Sequence, residues 1–155
     1  QLMAEGTKNI ARNRRALHDY SIDEKLECGV ELAGTEVKSL RAGHLSFADS
    51  YARIRSGELW LIGLRISAYD HASIFNHEPD RERRLLAHKD EIRRLRRRVD
   101  EKGYTLVPLQ LYFKGGMVKV EIGLAKGKRE YDKRESIKRR DQEREAQREM
   151  RDRSR

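Results

Sequence analysis

Residues 105–124, TLVPLQLYFKGGMVKVEIGL, decide the fold class because they predict a β-hairpin. Apolar and polar residues alternate on both sides of Lys114-Gly115-Gly116, and glycines in such a turn supply the positive backbone angles that a tight hairpin needs. Pro108 donates no backbone hydrogen bond, so a bulge or a sheet edge is predicted there. The positions predicted to face inward are Val107, Leu109, Leu111, Phe113, Val118, Val120, Ile122 and Leu124.

Outside this hairpin, the same alternation predicts further short strands. The segment 26–32 places apolar side chains at every second position, with Glu27 facing outward. Ser56-Gly57 separates two more apolar runs and predicts a second hairpin. Residues 1–15 are polar and basic and are expected to be loose. The predicted strands outside the first hairpin are 16–22, 26–32, 47–55 and 58–66.

Helices are predicted between these strands. Thr35 is a good N-cap for a short helix at 36–42, and Gly43 suits the position just after its end. A longer helix is predicted at 81–102 and should stop at Gly103, because four apolar residues fall on one face at helical spacing. These residues are Leu85, Ile92, Leu95 and Val99.

Short antiparallel strands interrupted by about three helices predict a mainly β fold, a six-stranded antiparallel barrel of the oligonucleotide-binding type. We expect a flexible N-terminus at 1–15, a barrel domain at 16–130 and a C-terminal tail at 131–155. From Asp132 onward the tail has no apolar face that could pack on a core, so it is expected to be unfolded until a partner orders it.

The charge of the chain points to a polyanion as its partner. The net charge is +9, and the residues from Lys126 onward contribute 13 basic against 8 acidic side chains. No stretch approaches the roughly 18 apolar residues that span a bilayer, and residues 1–6 lack the apolar region of a signal peptide. Cys28 is the single cysteine and allows no internal disulfide. A cytoplasmic monomer that binds nucleic acid and no membrane is expected.

No catalytic or metal-binding pattern stands out in the sequence. His18 and Asp19 are adjacent, which on a strand points their side chains to opposite faces. Cys28 occupies the apolar register of its strand, as a buried packing residue would. The histidines lack the spacing of a metal site. A nucleic-acid enzyme is therefore the weaker hypothesis, and neither a cofactor nor a metal is expected.

Several residues have the character of RNA contacts. Leu86 lies off the apolar face of the predicted helix, and five basic side chains surround it: Arg81, Arg83, Arg84, His88 and Lys89. An apolar side chain in a basic rim suits an unpaired base or a ribose, although a lone exposed leucine is also ordinary protein surface. Lys119, like Glu27, points outward on its strand.

The segment that links the barrel to the tail is also suited to RNA. A glycine among three cations permits close contact with phosphate, and the segment is Lys126-Gly127-Lys128-Arg129. Tyr131 follows, where an aromatic ring could stack on a base.

Two longer motifs carry a resemblance to a known family. They are GTEVKSLRAG at 34–43 and GLAKGKREYDKR at 123–134. Together with the runs around 11–22, 27–54 and 76–92, they are similar to the SmpB family, the SsrA-binding proteins of bacterial trans-translation. The similarity extends from about Lys8 to about Arg140.

The resemblance implies an RNA-binding protein rather than an enzyme. Such a protein binds the tRNA-like domain of transfer-messenger RNA (SsrA) and supports its charging by alanyl-tRNA synthetase. With elongation factor Tu, it delivers this RNA to ribosomes stalled on messages that lack a stop codon. The tail would enter the empty mRNA channel of the small subunit, contact the rRNA there and become helical.

The resemblance also implies site residues. Arg84 is a further candidate, because it is one of the basic side chains around Leu86. The RNA-binding candidates are Tyr20, Glu27, Arg84, Leu86, His88, Lys119, Lys126, Gly127, Lys128 and Arg129. The candidates for the ribosomal decoding centre are Tyr131, Asp132, Lys133, Arg134, Ile137, Lys138 and Met150. Glu149 precedes Met150 where some relatives carry an aliphatic residue, so the apolar anchor of the tail is not defined.

One alternative function, which is also RNA binding, stays open. A general single-strand RNA chaperone, or a ribosome-associated barrel, would display aromatic rings on one sheet face. Few aromatic residues are present, with three Phe, one Trp and six Tyr, and this disfavours that alternative.

Overall fold

The computed structural model describes residues 6–69 and 76–128, and within them the chain forms nine strands and three helices. The strands are β1 (Thr7–Arg12), β2 (Tyr20–Val30), β3 (Leu45–Ser46), β4 (Tyr51–Arg55), β5 (Glu58–Ile62), β6 (Arg65–Ile66), β7 (Arg83–Leu86), β8 (Thr105–Lys114) and β9 (Met117–Gly127). The helices are α1 (Arg14–Asp19), α2 (Gly34–Arg41) and α3 (Lys89–Lys102).

The strand pairings of the described residues close a ring. In the order β8, β4, β5, β7, β2 and β9, each strand pairs antiparallel with the next, and β9 returns to β8. β1 adds to the outside of this ring on β8, and β3 pairs with β6 in a separate small sheet. The prediction of a mainly antiparallel β fold with six strands in the ring and three helices is confirmed.

The β8–β9 hairpin forms as predicted. Lys114 pairs with Met117 across Gly115 and Gly116, whose φ angles of 57° and 78° are those that favour glycine. The side chains at Val118, Val120, Ile122 and Leu124 are buried in the main core, as are those at Leu111 and, on other strands, Leu26, Cys28, Leu59 and Leu61.

The predicted bulge is present, and it redirects two side chains that were predicted to point into the barrel. The β8–β9 register shifts between Pro108 and Gln110. An extra residue in one strand moves the neighbouring side chains to the other face. Val107 and Leu109 therefore pack with Ala16 in a second, smaller cluster rather than in the main core. The inward assignment of these two residues is wrong for that reason.

The N-terminal prediction is wrong in two places. Residues 7–12, expected to be loose, form β1, and α1 replaces the beginning of the strand predicted at 16–22. Asn13 explains the helix, because its Oδ1 accepts a hydrogen bond from the Ala16 amide at 3.2 Å. Its own amide and Nδ2 donate to the carbonyls of Leu109 and Pro108, both at 2.8 Å. The bulge thus anchors the start of α1.

The helix predicted at 81–102 is a strand followed by a shorter helix. Residues Arg83–Leu86 form β7, which fills the place between β5 and β2, and α3 begins only at Lys89. Leu85 is buried through the alternation of a strand, whereas Ile92 and Leu95 are buried through the period of a helix. The predicted end is confirmed, since Gly103 adopts a φ of 68° and its amide donates to Val99.

The short helix α2 begins two residues earlier than predicted. Ala33 rather than Thr35 is its N-cap, and the Glu36 carboxylate accepts a hydrogen bond from the Ala33 amide at 2.8 Å. Gly43 follows its C-terminus with a φ of 77°, as predicted. The second hairpin also forms around Ser56-Gly57, with strands shorter than predicted, β4 and β5.

Candidate nucleic-acid interface

The outer face of the barrel carries a cross-strand row of four residues, one from each of four neighbouring strands. Leu86 pairs with Gly29, Gly29 with Lys119, and Lys119 with Tyr112. Residues opposed in this way lie about 5 Å apart, so the outward side chains of the row form one continuous surface. We call these four residues the outer row. It joins two of the sequence candidates, Leu86 and Lys119, which are distant in the chain.

Leu86 is exposed because it lies on a strand. Its side chain keeps 42% of its accessible surface, whereas that of Leu85 keeps 2%. The prediction that Leu86 points away from the core is confirmed, although the helical reasoning behind it is wrong. Gly29 lies directly beneath it, since a Cβ at this glycine would come within 3.3 Å of the Leu86 Cβ. The absence of a side chain at Gly29 lets Leu86 lie flat on the sheet.

Glu27 lies beside the outer row and is held by two partners. The Tyr112 hydroxyl donates to its Oε2, and Lys114 Nζ lies 3.2 Å from its Oε1. The hydrogen bond from Tyr112 is the main reason that the pKa of Glu27 is lowered, with Lys114 adding to the effect. Glu27 is therefore a fixed, ionised hydrogen-bond acceptor on this face. Its charge suits a base or a 2′-hydroxyl rather than a phosphate.

Sequence reasoning missed Tyr112, which positions this carboxylate. Burial and the neighbouring carboxylate of Glu27 raise the pKa of its hydroxyl, so the group stays protonated and donates. The hairpin turn pairs Lys114 with Met117 and hence Tyr112 with Lys119. That register was the signal in the sequence that could have placed Tyr112 in the outer row.

Arg84 and His88 flank Leu86 along the chain. Arg84 lies two residues before it on β7 and forms ion pairs with Glu58 at 3.1 Å and Glu31 at 3.7 Å. His88 lies two residues after it, exposed, and is the N-cap residue of α3. The basic rim predicted around Leu86 is therefore present only in part. The charge of Arg84 is partly offset by carboxylates, and Arg83, also predicted for the rim, is buried.

Tyr20 and the basic segment lie elsewhere, at the far end of the β2–β9 ladder. Tyr20 pairs with Gly127. Lys126 Nζ lies 4.6 Å from the centre of the Tyr104 ring, and Lys128 Nζ lies 3.4 Å from the Leu17 carbonyl. We call Tyr20, Lys126, Gly127 and Lys128 the basic end. From Lys119 in the outer row to Gly127 in the basic end, β9 advances by eight residues, which at 3.3 Å per residue is roughly 26 Å.

The remaining sequence candidates lie outside the described residues. They are Arg129, Tyr131, Asp132, Lys133, Arg134, Ile137, Lys138 and Met150. The domain boundary predicted at 131 falls in the same part of the chain.

A second set of residues that sequence reasoning missed supports β7 from inside. Glu36 and Arg83 are both fully buried, and Arg83 Nε donates to the Glu36 carboxylate. Arg83 also donates to the carbonyls of Leu64 and Pro79 at 2.6 and 3.1 Å. Arg81 adds a second cation to Glu36. This network ties α2 to the strand that carries Leu86.

Among the described residues no group of His, Cys, Asp and Glu side chains could hold a metal ion. The Cys28 side chain is buried, and burial raises the pKa of its thiol to about 12, as expected for a packing residue. In the same part of the chain, no helix combines the length and the apolar character that crossing a membrane requires.

The comparisons with known proteins point to one family. The family model described as SmpB protein matches residues 10–152. An SsrA-binding protein of Treponema pallidum (strain Nichols) is 57% identical over 145 residues, covering 94% of both chains. One from Carboxydothermus hydrogenoformans is 57% identical over 144 residues, covering 93% of this chain and 97% of its own.

A solved structure is similar as well. It is described as "tmRNA-SmpB: a journey to the center of the bacterial ribosome", has a TM-score of 0.66 and 52% sequence identity, and covers 78% of this chain and 85% of its own. The family model and the two relatives match nearly the whole length of the chain. The chain therefore belongs to the SmpB family.

Proposed function

We propose that this protein binds the tRNA-like domain of transfer-messenger RNA and delivers it to stalled ribosomes in trans-translation. Membership of the SmpB family and the names of the SsrA-binding relatives support this function. The observation that carries it is the outer row with Glu27 beside it. An exposed apolar side chain, a cation and a fixed acceptor on one sheet face suit the unpaired bases and riboses of a folded RNA.

The two groups of candidate residues have different roles in this proposal. The outer row, with Glu27 and the flanking Arg84 and His88, contacts bases and riboses. The basic end, extended by Arg129, contacts phosphates. The two groups lie roughly 26 Å apart along β9. One RNA must therefore be large enough to contact both groups at once, which suits a folded RNA better than a short single strand.

The tail is the ribosomal part of the proposal. Residues 131–155 enter the empty mRNA channel, and Tyr131 to Arg134 lie nearest the decoding centre of the small subunit. The composition of the tail supports this role, since it is rich in arginine and nearly free of apolar residues. The protein acts without catalysing a reaction, in the cytoplasm. It reaches elongation factor Tu and alanyl-tRNA synthetase through the bound RNA.

Competition binding tests the first part of the proposal. The tRNA-like RNA should displace labelled tRNA-like RNA far better than an ordinary tRNA or an unstructured single strand does. Because several phosphates are contacted, the logarithm of the affinity should fall steeply with the logarithm of the salt concentration. Equal competition by all three RNAs would point instead to a general RNA chaperone.

Truncation separates the two roles. A chain ending at Arg129 should keep its affinity for the tRNA-like RNA, because the outer row and the basic end are intact. A chain ending at Asp132 should bind that RNA but fail to support tagging on stalled ribosomes in a reconstituted translation system. Normal tagging by the chain that ends at Asp132 would contradict the role of the tail.

A further inference from the structure

A groove on the opposite wall of the barrel has no role in the function proposed above. β4 and β8 are joined in the ring at one register pair, Ala52 with Leu106. Between β4, the C-terminal half of α3 and the start of β8 lies a groove of about 400 Å³. In the ring, β4 is three strands away from β2 in either direction. Gly29 on β2 therefore lies across the barrel from β4, whereas β8 both lines the groove and carries Tyr112 of the outer row.

The lining of the groove combines an apolar floor with two cations. Ile54 and Val99, which pack against the main core, form part of the lining, and Arg53 and Arg96 contribute the cations. Asp100 is the one carboxylate among the lining residues, and its Oδ2 lies 3.7 Å from Arg96 Nε. Exposed pairs of this kind are weak, so an incoming anion can take the place of Asp100.

Tyr51 provides the groove with an aromatic ring that is open to a ligand. Its side chain keeps 40% of its surface, and within the described residues it has no hydrogen bond or ring contact. The ring of Tyr104 differs, because the side chains of Arg98 and Lys126 already lie over it at 5.1 and 4.6 Å. Tyr51 is therefore the lining residue on which a planar group can stack.

The surface beside the groove, on β4 and β5, also combines arginines with an aromatic ring. Arg53, which forms no ion pair in the described parts of the chain, pairs in register with Trp60 on β5. The guanidinium of Arg55 lies 4.7 Å above the Trp60 ring. An aromatic ring with two arginines of β4 beside it continues the surface of the groove along the outside of β4 and β5. The surface is therefore longer than one nucleotide.

We propose that this groove binds an unpaired nucleotide of single-stranded RNA. The base stacks on Tyr51 above the apolar floor, and the adjoining phosphates contact Arg53 and Arg96. A volume of about 400 Å³ lies in the range of ligand pockets, and aromatic rings beside cations are the common means of holding single strands. An acidic peptide would use the arginines but leave the ring and the floor unused.

The single tryptophan provides the assay. Trp60 lies beside Arg53, so its fluorescence should report the titration of the full-length protein with a hexaadenylate. The variant Tyr51→Ala/Arg53→Ala should raise the Kd for this strand by at least about tenfold, through loss of one stacking contact and one phosphate contact. Arg96→Ala should raise it by a smaller factor. The matched control is Arg94→Ala, an equal charge change on an exposed α3 residue outside the groove.

The tRNA-like RNA decides whether the groove is a separate site. Its Kd should change by less than about twofold in the variant Tyr51→Ala/Arg53→Ala, because neither residue belongs to the outer row or the basic end. A similar loss of affinity for both RNAs in this variant would overturn the proposal. So would an equal loss in the double variant and in Arg94→Ala, or tighter binding of a hexaglutamate than of the hexaadenylate. Thermal melting of each variant verifies that the fold is intact.

Discussion

Glu36 and Glu27 are both paired carboxylates, but they lie in opposite surroundings. Glu36 is completely buried and is held by Arg83, itself completely buried. Glu27 keeps 39% of its side-chain surface and is held by the Tyr112 hydroxyl and Lys114 at the side of an open face. The first pair joins α2 to β7 inside the protein. The second presents an ionised acceptor to whatever binds outside.

The difference shows how one fold uses the same functional group in two ways. A buried charge must have all its hydrogen bonds met by the protein, because no water can replace them. An exposed carboxylate needs only enough partners to fix its direction, and its remaining lone pairs stay free for a ligand. We therefore expect changes around Glu36 to alter the stability of the protein, and changes around Glu27 to alter RNA affinity.

The largest effect is expected for Arg83→Ala. This change leaves the Glu36 charge without its buried partner, and breaking a buried pair in this way costs about 3–5 kcal/mol in the free energy of unfolding. Urea denaturation measures the loss. The neighbouring variant Arg84→Ala is the matched control, because its ion pairs are exposed and should contribute no more than about 1 kcal/mol. Similar losses in both variants would contradict the distinction between buried and exposed pairs.

The second effect in size is expected in acid, where Glu36 and Glu27 should contribute differently to the pH dependence of stability. Burial alone would raise the pKa of Glu36, but the hydrogen bonds from Arg81, Ala33 and Arg83 outweigh it, and the pKa lies below its usual 4.5. The unfolded chain then takes up the proton at a higher pH than the folded chain does. The stabilisation is therefore present above about pH 4.5 and is lost as the pH falls through the folded-state pKa.

The unfolding free energy, followed from neutral to acid pH, measures this effect. Glu36→Gln should reduce the loss of stability in acid more than Glu27→Gln does. The pKa of Glu27 is also lowered, but that side chain is partly exposed, and water weakens the effect of its partners on stability. Parallel curves for Glu36→Gln and the unchanged protein would show that Glu36 contributes nothing to the acid sensitivity.

On the outer face, Leu86→Ala should weaken RNA binding by about 1–2 kcal/mol, by analogy with the loss of a stacking contact. The folded state should be nearly unaffected, since Leu86 is exposed. Leu85→Ala, one residue away and facing the core, should instead reduce the stability by about 2–5 kcal/mol. Binding and urea titrations of both variants test the comparison. A sharp fall in the stability of the Leu86 variant with RNA affinity intact would mean that Leu86 belongs to the core.

The smallest effect is expected for Tyr112→Phe. Removing the hydroxyl takes away the main hydrogen bond that lowers the pKa of Glu27, so this pKa should rise. RNA affinity should fall by about 0.5–1.5 kcal/mol, the usual contribution of one hydrogen bond. A carbon-13 NMR titration of the Glu27 carboxyl gives the pKa directly. Tyr51→Phe is the control, and an equal shift there would show that Tyr112 does not position Glu27.

Local patterns predicted much of the fold and part of the candidate site. Alternation and the Gly115-Gly116 turn predicted β8 and β9, and Pro108 predicted the bulge, because these signals lie within a few neighbouring residues. The outward direction of Leu86 was also predicted, although from a helical wheel. The segment 83–86 has two apolar residues and two arginines, and this pattern is too short to distinguish a strand from a helix.

The sequence by itself determined the class of this protein: a basic, mainly antiparallel β chain with two motifs of the SmpB family. Hairpins, caps and charge depend on residues that are close in the chain, so their signals can be seen without a structure. Only the tertiary structure decided that Arg83 is buried against Glu36, that Tyr112 holds Glu27, and that Tyr51 and Arg53 share a groove with α3. These arrangements depend on which strands become neighbours in the ring. That choice is made by the packing of the whole core, which no local pattern contains.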